Sequence, residues 1–198
     1  MDEKPKLLII AGPNGSGKTS ITDKILKHDW IDGCVYINPD NIAQDIFGDW
    51  NSPEAVKKAV YYANEKREEC IQKRQSILFE TVMSAPDKLE FIVRAHKLGY
   101  FIRLFFVGTN HPSINAARVA QRVLEGGHDV PISKIISRYT KSIANCSQAA
   151  KIVDRMYVYD NSIEDVFPQL LFRTISGKEK KIYTEVNPWA KDILNAIE

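Results

Sequence analysis

Short runs in which nearly every residue is apolar alternate along this chain with longer stretches in which apolar residues recur every three or four positions. The short runs fall at residues 7–11, 34–37, 76–79, 101–107 and 156–159. Unbroken apolar character over four to seven residues predicts strands covered on both faces, since a strand with one wet face would alternate. Helical spacing fills the intervals. One helix is predicted over 19–28, and a second opens at Ser52-Pro53-Glu54, with Ser52 as N-cap and Pro53 in the first turn. Its apolar positions Ala55, Val56, Ala59, Val60, Ala63, Cys70 and Ile71 carry it to Arg74. Ser84-Ala-Pro-Asp87 reads as a capping box before the stripe Leu89, Ile92, Val93 and Leu98, which Gly99 closes. Pro112 opens a helix running to Gly126-Gly127, and Ser133 is the expected cap of another carrying Ile135, Ile136, Tyr139, Ile143 and Cys146.

Strands alternating with helices predict an α/β fold: a mostly parallel five-stranded sheet with helices on both faces. The tail breaks the alternation. Residues 170–175 and 181–185 predict a hairpin turning at Ser176-Gly177-Lys178, followed by a helix over 189–197. At 198 residues, with no linker or repeat, the chain reads as a single domain, 1–198, in which 118–138 is lid-like and 170–198 forms a C-terminal hairpin and helix.

Composition narrows the class of partner. With 44% apolar and 26% charged residues the chain has enough apolar surface for a sizeable core. A net charge of +2 is too small to argue for a nucleic-acid or membrane partner, and neither is expected. No apolar run approaches the ~20 residues that span a bilayer, and the mixed-charge start (Met-Asp-Glu-Lys-Pro-Lys) leads into too few apolar residues for a signal peptide. Cys34, Cys70 and Cys146 are odd in number and widely spaced, which favours reduced thiols. A cytoplasmic protein is expected.

The most specific pattern follows the first strand. Gly12, Pro13, Asn14, Gly15, Ser16, Gly17, Lys18 and Thr19 fit G-x-x-x-x-G-K-[ST] in full, between an apolar strand and a helix, with Ser20 next in that helix. Gly15 and Gly17 allow the tight turn that points successive N–H groups at phosphate oxygens, and the helix start adds its positive end. Lys18 is the expected contact to the β- and γ-phosphates, and the Thr19 hydroxyl the expected ligand to Mg²⁺. A nucleoside triphosphate site is the reading.

In an open α/β sheet, ligands bind beyond the carboxyl ends of the strands, which selects the phosphate loop, Asp40, Glu80-Thr81 and Asp160-Asn161. Asp40 stands there after the second strand, and a carboxylate so placed can take the proton of an attacking hydroxyl; its other reading is the cap of the helix that follows. Glu80 and Thr81 end the third strand, where a carboxylate after Ile-Leu-Phe suggests work on substrate or metal water. Arg118 and Arg122 precede Gly126-Gly127-His128, and Arg138 follows. Arginines flanking a flexible loop suit a lid that clamps phosphate. On the long helix, Lys66-Arg67 and Lys73-Arg74 alternate with Glu65, Glu68 and Glu69, which reads as an ion-paired, exposed face. His28, His96 and His111 show no ligand spacing.

With these residues assembled, the chain resembles the zeta-toxin-like family of small P-loop kinases. The likeness rests on Gly12 to Thr19, Ile37-Asn-Pro-Asp40, Phe79-Glu-Thr81, Gly99-Tyr100 before Phe-Val-Gly108, and Arg118-Val119. Arg122-Val123 with Gly126-Gly-His128, Arg138-Tyr139 and Tyr159-Asp-Asn-Ser162 continue it. The chain is shorter than the best-known toxins and more similar to compact relatives described as ATPases or kinases. The resemblance implies ATP and Mg²⁺ as cofactors and phosphorylation of a hydroxyl on a UDP-activated N-acetyl amino sugar, with an antitoxin protein as a possible partner. It also implies Asp40 as base, Glu80, Thr81 and His128 in the substrate site, and Arg118, Arg122 and Arg138 as phosphate clamps. Two other readings stay open: a nucleotide switch or ATPase without a small acceptor, and a nucleoside or polynucleotide kinase.

Overall fold

The computed structural model describes residues 4–48 and 51–197; residues 1–3 of the mixed-charge start lie outside that range. Seven strands form one sheet: β1 (Lys6–Ala11), β2 (Cys34–Ile37), β3 (Ser76–Thr81), β4 (Phe101–Gly108), β5 (Arg155–Asp160), β6 (Gln169–Ile175) and β7 (Glu179–Ile182). Their spatial order is β2-β3-β1-β4-β5-β6-β7. The five strands expected from apolar runs are mutually parallel, as the alternation with helices demands. The C-terminal hairpin is not an appendage. β6 pairs antiparallel with β5, so the sheet continues through it to β7.

The helices are α1 (Lys18–Ile25), α2 (Pro39–Asp45), α3 (Pro53–Gln72), α4 (Pro86–Lys97), α5 (Pro112–Leu124), α6 (Ile132–Ala149) and α7 (Pro188–Asn195). The period of two in a strand divides β1 between two cores. Leu7, Ile9 and Ala11 join the larger core with residues of α3, α4, α6 and α7, while Leu8 and Ile10 join Ile21 and Ile25 of α1 on the other face. Both faces are dry, which is why these strands lack polar alternation. Among the described residues no helix is long and apolar enough to cross a membrane. All three cysteines are free thiols.

Local details depart from the sequence reading. Ser52 caps α3 as expected, its Oγ accepting from the Ala55 N–H at 3.4 Å. Ser84 does not cap α4: the N-cap is Ala85, which has no side-chain oxygen to offer. Ser133 does not cap α6, because the helix begins at Ile132 with Pro131 as its N-cap. In α4, Pro86 at the first helical position makes a start without a polar cap possible, since its missing N–H is one that would have needed an acceptor. Arg67 corrects a larger expectation. It belongs to the face of α3 turned inward and is only 4% exposed, so the long helix does not carry all its charges on a wet face.

Candidate active site

The phosphate-loop sequence forms the turn between β1 and α1. Gly15 and Gly17 hold φ of 74° and 82°, a region other residues enter at a cost. Space excludes a side chain as firmly as the backbone does. A Cβ on Gly17 would lie 2.0 Å from Asn161 Nδ2, and one on Gly15 2.4 Å from the Asn115 carbonyl oxygen. The two asparagines are in place because each grips the loop: Asn161 Nδ2 donates to the Ser16 carbonyl at 2.9 Å, and Asn115 Nδ2 to the Asn14 carbonyl at 2.7 Å. The loop is therefore pre-shaped from outside by the segment that follows β5 and by helix α5. Pro13 is buried, and its carbonyl accepts from the Ser16 N–H. Ser16 is fully buried with no partner for its Oγ among the described residues. A buried hydroxyl without a partner is costly, and it sits in a loop whose shape receives phosphate oxygens.

Lys18 folds back over this loop, its Nζ donating to the Gly12 carbonyl at 3.0 Å and the Pro13 carbonyl at 3.2 Å. Burial lowers its pKa from the ordinary lysine value; the carboxylates of Glu80 and Asp40 oppose that shift, and the guanidinium groups of Arg122 and Arg138 add to it. Five charged groups from five elements thus converge on one place. They line a cleft of about 310 Å³ together with Asn14, Thr81 and His128. Thr19 and Ser20 stand beside it as exposed residues in the first turn of α1.

Sheet register brings the carboxylate side in. Ile10 pairs with Glu80 and Ala11 with Thr81, so the end of β3 lies against the start of the phosphate loop. The Gly12 N–H closes that contact on the Thr81 carbonyl at 3.3 Å. Thr81 Oγ1 accepts from the Met83 N–H at 3.0 Å, which holds the turn where Met83 takes a φ of 58°. Glu80 Oε1 accepts from Tyr36 Oη at 2.5 Å and from Asn38 Nδ2 at 2.9 Å. Burial and the bond to Glu80 push the Tyr36 phenol well above its ordinary range, so it stays a donor. Asn38 joins two parts of the site, because its Oδ1 also caps α2 through the Asp40 N–H at 2.9 Å. The cap of this helix is therefore Asn38, which leaves the exposed carboxylate of Asp40 on the rim of the cleft.

The arginines divide. Arg138 reaches Asn14 Oδ1 at 3.0 Å, and Arg122 donates to the His128 carbonyl at 2.8 Å, holding the loop between α5 and α6. Both face the cleft, as does His128, whose Nδ1 is buried without a partner among the described residues. Arg118 does not join them. Its guanidinium bonds the carbonyl oxygens of Asn161 at 2.7 Å and Ile163 at 3.4 Å, bracing the loop after β5. Helical spacing puts Arg118 and Arg122 on one face, but a long side chain from each turn reaches a different neighbour. Sequence reasoning missed Asn115, Tyr36 and Asn38, and it placed Asn161 at a strand end without a role. Asn38 and Asn161 stand inside recognisable runs, Ile37-Asn-Pro-Asp40 and Tyr159-Asp-Asn-Ser162, and that was the available signal.

The fold has known relatives. An uncharacterized protein of Haemophilus influenzae is 26% identical over 138 residues, spanning 68% of this chain and 92% of that one. A crystal structure of the AvrRxo1-ORF1:AvrRxo1-ORF2 complex with ATP superposes with a TM-score of 0.68 at 18% identity, covering 90% of this chain. This chain spans only 60% of the matched chain in that complex. A structure from the PezAT chromosomal toxin-antitoxin system of Streptococcus pneumoniae gives a TM-score of 0.56 at 17% identity, covering 81% of this chain and 69% of that one. At these identities the superpositions speak for the fold alone. The model of the Zeta toxin family matches residues 1–169, most of the chain, and the protein belongs to that family of P-loop kinase fold.

Proposed function

We propose that the protein is an ATP-dependent phosphotransferase that moves the γ-phosphoryl group of ATP to a hydroxyl of a small acceptor. The observation that carries this reading is the convergence of Lys18, Asp40, Glu80, Arg122 and Arg138 on one cleft beside the phosphate loop. A nucleotide-binding switch needs the loop but not a carboxylate pair facing it. A transferase needs both.

Catalysis would be chiefly positioning and charge stabilisation. The loop N–H groups and Lys18 hold the β- and γ-phosphates. The acceptor hydroxyl lies between Asp40 and Glu80; Asp40 takes its proton as the acceptor oxygen bonds the γ-phosphorus. The bond to the β–γ bridging oxygen breaks, and ADP leaves. Arg122 and Arg138, flanking the lid-like loop, meet the charge on the transferred group, while Glu80, held by Tyr36 and Asn38, orients the acceptor. Thr19 would hold Mg²⁺, which supplies charge neutralisation of the triphosphate. Thr81 and His128 complete the acceptor wall. The acceptor we assign is a UDP-activated amino sugar, as the sequence resemblance implies, and the toxin–antitoxin setting of the superposed PezAT structure supports an antitoxin as partner.

The test is transfer of labelled γ-phosphate with Mg²⁺ to UDP-sugars, nucleosides and short RNAs. Lys18→Ala should abolish turnover, and Asp40→Asn should bind ATP yet lose about 10²- to 10⁴-fold in transfer. Label found only as free phosphate, unchanged by any acceptor and by Asp40→Asn, would favour a hydrolytic switch.

A further inference from the structure

The cleft continues past the carboxylates along one face of α3. Val56, Val60, Asn64 and Arg67 all line it, at spacings of four, four and three residues, which places them in a single row. At 1.5 Å per residue that row is about 16 Å long, enough for an extended molecule rather than a single sugar ring. One end, at Val56, is shared with a neighbouring hollow that His128 and Arg138 also line. The other end is Arg67.

Arg67 is an unusual residue for that position. It is 4% exposed, and among the described residues no carboxylate forms an ion pair with it, although Asp87 and Glu68 stand near enough to oppose in part the lowering of its pKa by burial. Its side-chain hydrogen bond goes to Asn64 Oδ1, a neutral acceptor, although a guanidinium carries five N–H donors. The rings of Phe79 and Phe91, 5.0 and 5.8 Å from its Cζ, compensate part of the lost hydration. A second cation stands close by. Lys88, on the cleft wall in the first turn of α4, bonds the neighbouring Asp87, and its pKa is lowered by burial with a further contribution from Arg67. Asp87 offsets part of this charge, but it and Glu68 line the hollow beside the cleft, whereas Arg67 and Lys88 both line the cleft itself. The start of α4 lies at the same place, with Ala85 providing no side-chain cap for its N–H groups and Asp87 in its first turn.

We propose that Arg67 and Lys88, with the start of α4, form a subsite for an oxyanion group, phosphate or carboxylate, carried by the phosphoryl acceptor. Neutral hydroxyl compounds are then poor substrates. The inference rests on the kinase reading for the word acceptor; the anion site itself does not.

Two measurements separate the two claims. In the first, inorganic phosphate is titrated against protein whose phosphate loop is already filled with Mg²⁺ and a non-hydrolysable ATP analogue, and the melting temperature is followed. Parent protein should be stabilised, Arg67→Met should not, and Arg67→Lys should retain part of the response. In the second, labelled transfer is compared within matched pairs: glycerol 3-phosphate against glycerol, gluconate against glucose, and UDP-N-acetylglucosamine against N-acetylglucosamine. The charged members should be preferred, the successful pair identifying the oxyanion. Arg67→Met should raise their KM roughly 10- to 100-fold while the KM for ATP holds. Lys88→Met gives the same direction of change if Arg67→Met prevents folding. Equal phosphate stabilisation of parent and Arg67→Met, or an equal loss on charged and neutral acceptors, overturns the subsite. Phosphate stabilisation that depends on Arg67, with no transfer to any acceptor, retains the subsite and sinks the kinase reading instead.

Discussion

Gly17 illustrates how a residue is fixed twice. Its φ of 82° would be strained for any side chain, and Asn161 Nδ2 occupies the place of a Cβ. Gly17→Ala should therefore cost about 1–2 kcal/mol from backbone strain alone, with an added loss as Asn161 is pushed off the Ser16 carbonyl. Urea unfolding with and without ATP measures both, and an unchanged midpoint would mean the loop is softer than this geometry implies. Charge at residue level is equally contextual. Lys66 pairs with Glu69 at 2.9 Å on the wet side of α3, whereas the next residue, Arg67, turns into the cleft. Adjacent basic residues on a helix point about 100° apart, so one run of charges can serve solvent and site together.

Among the elements, helix α5 has two functions on two of its turns. Arg118 holds the loop after β5, and Arg122 holds the loop that leads to α6. The separation can be measured. Arg118→Met removes a charged donor from backbone carbonyls and should lower stability by about 1–2 kcal/mol, with a modest rise in ATP Kd through Asn161. Arg138→Met removes the bond to Asn14 and a charge that lines the cleft, so its cost should appear in kcat, roughly 10- to 100-fold, with stability nearly unchanged. A pattern in which Arg118→Met loses kcat and Arg138→Met loses stability would reverse the two assignments. The strand ends behave as a second unit. β2 and β3 present Tyr36, Asn38 and Glu80 as one hydrogen-bonded group because parallel pairing sets Ile37 beside Phe79.

At the scale of the molecule, the C-terminal part beyond the family match is structural. Leu171 and Phe172 of β6, and Trp189, Ala190 and Ile193 of α7, are in the main core. Trp189 also donates to Asp160 Oδ1 at 2.9 Å, and its ring fills the space a side chain at Gly108 would take. A chain ending at residue 169 contains every residue of the phosphate loop and both carboxylates, yet it exposes the β5 edge and the part of the main core that β6 and α7 cover. It should fail to fold cooperatively, since each buried large side chain lost costs about 2–5 kcal/mol against a total stability of about 5–15 kcal/mol. Near-ultraviolet circular dichroism and urea titration of the truncated chain check this. Native-like signals with full ATP binding would show that the hairpin and α7 are dispensable.

The sequence by itself determined the parallel core and the phosphate loop, because both are local: a strand buried on two faces must be apolar throughout, and a phosphate turn must have glycine where φ is positive. It also put Asp40, Glu80 and Thr81 at strand ends, where parallel sheets bind ligands. Tertiary structure decided the rest. The hairpin became part of the sheet because β5 offered an unpaired edge. Ser84 and Ser133 lost their capping roles to starts set by proline and packing. The three arginines parted according to which carbonyl or side chain lay within reach, and Arg67 went inside because Phe79 and Phe91 form a floor for it. Periodicity says on which side of a helix a residue stands; only the packed neighbours say what that side faces.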